Sequence, residues 1–199
     1  MKDEYIDMNM PSDSELQEIV RQVVSRVQGG EAPPASGGML KVKSMAEVAP
    51  TVTNAVAIGC DHGGFSMKVS LIAHLKEQGY PVIDCGTHST ESVDYPDFAL
   101  AVANQVKEGK AWRGIVIDGA GIGSCMAANK VHGVRAAMCY DYATAFNARE
   151  HNNANVLTLG AGLIGPSLAK QIVDTFLKTE FGGGRHARRV DKIMAIEEK

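Results

Sequence analysis

Residues 114–130, GIVIDGAGIGSCMAANK, run a continuous apolar segment into an acid, three alternating glycines and a helical pattern. Gly114–Asp118 lacks the polar alternation of a half-exposed strand, so it reads as a short strand buried on both faces. Gly119, Gly121 and Gly123 allow a tight turn, and residues 122–130 read as the helix that follows. The same logic repeats outward from this unit. Strands are expected at Asn54–Gly59, Tyr80–Asp84, Val134–Cys139 and Asn155–Leu159, with helices near 65–78, 96–109, 141–150, 165–179 and 188–198. Alternation at this spacing predicts an α/β fold, a five-stranded parallel sheet covered by helices on both sides. The loops after the strand C-termini then gather along one edge, where open α/β sheets bind ligands.

Composition narrows the function without choosing it. The chain has 199 residues, 45% hydrophobic and 22% charged, with a net charge of −3. That is the profile of one globular domain with a short appendage, and it gives nucleic acid or an acidic membrane nothing to attract. No apolar run reaches the roughly 18 residues of a membrane span. The beginning, MKDEYIDMNMPSD, is acidic and has no apolar centre, so it does not read as a secretory signal. Cys60, Cys85, Cys125 and Cys139 show no C-x-x-C spacing, so reduced thiols in a cytoplasm are expected, with no metal site.

Upstream of the domain, SELQEIVRQVVSRVQ at 14–28 places Leu16, Ile19, Val20, Val23, Val24 and Val27 on one helical stripe. GGEAPPASGG at 29–38 is a linker composition that builds no packed layer. The chain therefore divides into an amphipathic helix over 1–28, a linker over 29–53 and a domain over 54–199. The stripe needs a cover, which is either its own domain, a dimer seam or another protein.

Chemistry-bearing residues collect after the strands. AIGCDHGG, residues 57–64, ends the first strand with Asp61 and His62, poor strand formers that break a strong local pattern. Asp118 precedes the glycine turn, either as a cap for it or as a catalytic carboxylate. The turn's successive amides suit an anion or a developing oxyanion. His151 and Asn152 close the helix before the fifth strand, where an imidazole is either dipole-stabilised or catalytic. Arg185, Arg188 and Arg189 surround His186 after three glycines, either as a solvated basic turn or as a grip on a phosphate monoester.

GCDHGGF, DYPDFA, the G-x-G-x-G turn closing in AANK, GVRAA, REHNNANV and GGRHARRV together resemble the ribose-5-phosphate isomerase B / galactose-6-phosphate isomerase (RpiB/LacAB) family over roughly residues 54–197. The resemblance implies a Rossmann-like three-layer sandwich, metal-free and cofactor-free aldose–ketose isomerisation of sugar phosphates, and active sites shared between subunits of a dimer or tetramer. It implies that Asp61 and His62 handle ring opening and substrate hydroxyls or phosphate, and that Tyr95 lines the pocket. Gly119, Ala120, Gly121, Gly123 and Ser124 match the turn whose amides hold the enediolate. His151, from the neighbouring subunit, matches an imidazole assisting ring opening, with Asn152 beside it, and Arg185 and Arg189 match the phosphate arginines. Three positions depart from the pattern. The family places its base as a Cys just before the turn or a Glu within it, and here these are Asp118 and Ser124. A Thr or Ser that follows the first glycine is here Ala120.

The expectation is an isomerase of sugar phosphates with Asp118 as base, ribose 5-phosphate to ribulose 5-phosphate being the leading reaction. Alternatives are another four- to six-carbon sugar phosphate, or a non-catalytic sugar-phosphate-binding subunit. EIVRQVVSRVQ with its linker resembles an encapsulation peptide of bacterial microcompartments, which implies shell or cargo proteins as partners and a location inside such a compartment.

Overall fold

The computed structural model describes residues 54–198; the expected helix over 1–28 and the linker over 29–53 lie outside them. The strands are β1 (Val56–Cys60), β2 (Val82–Asp84), β3 (Arg113–Asp118), β4 (Ala136–Met138) and β5 (Val156–Gly160). The helices are α1 (Phe65–Glu77), α2 (Tyr95–Lys107), α3 (Ile122–Ala128), α4 (Tyr142–Glu150), α5 (Pro166–Lys178) and α6 (Ala187–Met194). All strand pairings are parallel, in the order β2-β1-β3-β5-β4. This is the expected Rossmann-like sandwich.

Residue alternation along each strand builds two cores. Val56, Ile58, Ile115, Ile117, Leu157 and Leu159 face Leu71 and Leu75 of α1, Ala145 of α4 and Ile172 and Phe176 of α5. Ala57, Val116 and Val156 face Ala99, Val102 and Ala103 of α2 and Ala128 of α3. Each large aliphatic side chain buried this way contributes about 1.5–3 kcal/mol, which offsets the entropy of ordering the layers. The α2 face is lined with small residues for a reason. A Cβ at Gly114 would lie 2.7 Å from Val102 and one at Gly59 2.9 Å from it, so α2 can ride close to the sheet.

Two strands are shorter than their apolar runs. The Tyr80 N–H closes the end of α1 on the Leu75 carbonyl, and Pro81 has no N–H, so β2 begins at Val82. Before β4, the Arg135 N–H goes to Asn155 Oδ1 at 2.7 Å rather than into the ladder. The chain steps outward from β1 to β2 on one side and from β3 onward to the other. The reversal therefore lies between β1 and β3, and their C-terminal loops flank the crevice.

Candidate active site

Asp118 is the last residue of β3 and is 4% exposed. One carboxylate oxygen accepts the N–H of Ala120 at 2.8 Å and that of Gly121; the other accepts the Ser124 N–H at 3.0 Å and the Ser124 hydroxyl at 2.5 Å. A carboxylate offers about four acceptor positions, and all are engaged. Asp118 thus folds the turn and caps α3, so three of the amides expected to face an enediolate, those of Ala120, Gly121 and Ser124, are turned onto this side chain. The amides of Gly119, Ile122 and Gly123 have no acceptor among the described residues. Gly121 sits at φ 80°, a left-handed conformation that glycine adopts without strain, and Thr158 Oγ donates to its carbonyl at 2.9 Å. The turn is therefore bolted to β5.

Asp61 follows β1 and is 8% exposed, with Oδ1 accepting the Gly64 N–H at 3.0 Å. Its Oδ2 has no partner among the described residues. His62 is exposed, and its Nδ1 accepts the Val93 N–H at 3.3 Å, which leaves the neutral ring's proton on Nε2. Tyr95, the first residue of α2, lies over Gly123, where a Cβ would come 2.5 Å from its ring. Asp61, His62, Tyr95, Asp118, Gly119, Ala120, Gly121, Gly123 and Ser124 thus share one edge of the sheet.

His151, Asn152, Arg185 and Arg189 lie at the other edge. Helix α4 runs back to the strand N-termini before β5 begins, and the Gly182 N–H bonds the Glu150 carbonyl at 2.9 Å, bringing the arginine segment there too. The His151 ring stacks on His186 at 4.2 Å with planes 6° apart, accepts from Asn147 at 2.7 Å and meets Glu150 at 3.0 Å. Asn152 donates to the Asn147 carbonyl and side chain at 3.1 Å. Desolvation, and then the charges of His151, Arg185 and Arg189, hold the His186 imidazole below its ordinary value. Arg185 and Arg189 are exposed. The six residues of β3 span roughly 20 Å at about 3.3 Å each, so the two groups cannot grip one small molecule within one copy.

Sequence reading missed three supporting residues. His186 stood between the arginines but carried no assignment. Thr158 is a hydroxyl inside the apolar run VLTLG, a signal that some buried acceptor awaits it. Lys68 shares a helical stripe with Leu71 and Leu75, a charge on a buried face, and is 1% exposed. Among the thiols, burial raises Cys125 above its ordinary value and pushes Cys60 up to about 11, so neither is an available thiolate.

A sequence profile described as Ribose/Galactose Isomerase matches residues 56–193. The chain is 47% identical over 144 residues to ribose-5-phosphate isomerase B of Escherichia coli, covering 72% of this chain and 97% of that one. It is 45% identical over 143 residues to D-erythrulose-4-phosphate isomerase of Pectobacterium atrosepticum, covering 71% of this chain and 94% of that one. Among solved structures, ribose-5-phosphate isomerase B of Clostridium thermocellum superposes with a TM-score of 0.72 at 56% identity, covering 72% of this chain and 97% of that chain.

Proposed function

The chain belongs to the ribose/galactose isomerase family, and from that premise we propose that it interconverts ribose 5-phosphate and ribulose 5-phosphate. The observation that carries this reading is the near-complete coverage of two ribose-5-phosphate isomerase B chains, at identities well above those that show fold alone. The erythrulose-4-phosphate relative and the missing hydroxyl at Ala120 favour a four-carbon substrate as the second reading.

In the reaction, Asp61 and the Nε2 side of His62 assist opening of the sugar ring. Asp118 removes the C2 proton from the open-chain aldehyde, and the electron pair moves through C1–C2 onto O1. The free amides of Gly119, Ile122 and Gly123 stabilise the resulting enediolate. After the O2 proton passes to O1, Asp118 returns its proton to C1 and O2 becomes the ketose carbonyl. The hydrogen bonds at Asp118 set a condition. Three of its donors are backbone amides, but the Ser124 hydroxyl rotates, so a substrate oxygen that accepts from Ser124 frees Oδ2 to act as base.

The phosphate is held by Arg185 and Arg189 of a second copy, with His151 and Asn152 entering from the same side. Support comes from the opposite-edge placement of the two groups. Exposed Ile122, Met126 and Leu163 lie near the Asp118 edge, and a cavity of about 760 Å³ opens beside Asn152, Met138 and Ile193, so both regions offer surface for another copy to cover.

The test is a panel of aldose phosphates of four to six carbons, followed by ketose formation with no added metal. Ribose 5-phosphate is expected to give the highest kcat/KM. A preference for the four-carbon substrate selects the second reading, and no turnover on any member leaves a sugar-phosphate-binding subunit.

Residues 1–28 address this enzyme to a bacterial microcompartment in our reading, on the strength of the 14–28 stripe and its Gly/Pro linker. Deleting 1–40 is expected to leave melting temperature and kcat/KM unchanged while abolishing co-purification with shells. Val20→Asp with Val24→Asp is expected to do the same. A melting temperature many degrees lower would show instead that the stripe covers the domain.

A further inference from the structure

The ammonium of Lys68 is buried beneath the edge that carries Asp61 and His62, and none of the chemistry above uses it. Its Nζ lies 2.6 Å from Asp84 Oδ1, at the end of β2, and 2.7 Å from the Thr87 carbonyl. Asp84 also accepts the Gly86 N–H at 3.0 Å. Burial alone would raise the Asp84 carboxyl, but the bonds from Lys68 and the Gly86 amide outweigh it and hold it below the usual range.

These contacts lie at the root of the segment joining β2 to α2. Its first residues are laddered onto β1, through Thr87 N–H to the Cys60 carbonyl at 2.8 Å and Cys60 N–H to the Gly86 carbonyl at 2.7 Å. Beyond Thr87 the segment runs exposed until the Val93 N–H reaches His62 Nδ1 and Tyr95 settles over Gly123. Lys68 itself sits one turn past the Asp61–Gly64 loop, and its N–H bonds the Gly64 carbonyl at 2.9 Å. One residue therefore ties together the two loops, its backbone N–H holding the loop that carries Asp61 and His62 and its ammonium holding the root of the loop that supplies the Val93 N–H and Tyr95.

We infer that Lys68, paired with Asp84, is a positioning residue that sets the separation of these two loops and so fixes the His62 tautomer and the Tyr95 wall. An ion pair with its ammonium buried and its carboxylate at the surface is weak evidence for stability. Its worth here is geometric. An ammonium that bridges a carboxylate and a carbonyl from different residues specifies where both must be, which a methyl group does not. Misplacing catalytic groups by about 1 Å costs up to roughly a hundredfold in rate.

The inference rests on the isomerase reading for its kinetic half and not for its spectroscopic half. The test uses the full chain with Lys68→Met, and Lys68→Met combined with Asp84→Leu, which also removes the carboxylate left unpaired. Both are expected to lower kcat/KM on ribose 5-phosphate by about ten- to a hundredfold. In ¹⁵N spectra of the free protein, the His62 ring nitrogens are expected to be well separated in the wild type and to converge in both variants, as the tautomers mix. A purely structural role predicts a lower melting temperature with kcat/KM and the His62 spectrum unchanged, and that result overturns the inference. Should either variant fail to fold, Asp84→Asn reads the same two quantities while keeping a hydrogen-bond acceptor at that position. Wild-type protein inert on every sugar phosphate would instead sink the isomerase reading, and the His62 spectra would still decide the positioning role.

Discussion

Asp118→Asn is expected to turn over at about 1% of the wild-type rate or less, the usual contribution of a positioned general base, with little change in substrate affinity. The substitution keeps one oxygen to accept from Ala120 and Gly121, which still hold the turn, but puts an NH2 where Oδ2 accepted from Ser124, so the Ser124 hydroxyl must rotate to accept and the Ser124 N–H loses its acceptor. The retained turn matters for interpretation. Asp118 also organises the loop, and a collapse of the loop would lower the rate for a different reason. Ser124→Ala separates the two roles. It removes the one rotating donor from Oδ2 and leaves the three amides in place. The carboxylate keeps its charge and its backbone bonds in that variant, so turnover should stay well above that of Asp118→Asn. Wild-type turnover by Asp118→Asn would show that the carboxylate only folds the turn.

Mixing two dead proteins should produce a live one. Arg185→Ala with Arg189→Ala removes two charge-assisted phosphate contacts, each contributing about 1.5–3 kcal/mol, and should raise KM by more than a hundredfold. Asp118→Asn is inactive through the opposite edge of the sheet. In a mixed two-fold dimer, one site inherits both defects and the other inherits neither. Random re-association of equal amounts makes half of the dimers mixed, so activity should recover to about a quarter of wild type. Mixtures no more active than the average of their parents would place both groups in one copy's site.

Much of this arrangement could be read before any coordinates. The βαβ alternation shows because each parallel strand is buried on both faces and therefore apolar throughout. The Asp61–His62 pair and the Asp118 turn show because acids, imidazoles and glycines interrupt those apolar runs. What stayed hidden depends on where side chains point. GAGIGS can be marked as an amide cradle, but only geometry reveals that Asp118 occupies part of it. Separation is equally silent: nothing in REHNNANV or GGRHARRV records that the chain has returned to the strand N-termini. Lys68 looks like any helical lysine until its register with Leu71 and Leu75 is read against the sheet.

On the proposed two-copy site, a copy alone is idle and encounter switches it on. While copies are scarce, the flux through such an enzyme rises with the square of their number, and newly made chains leave the sugar phosphate pool alone until they meet. Confinement changes that arithmetic. On the proposed role of residues 1–28, the segment that gathers copies into a small volume also turns them on, since concentration alone pairs them.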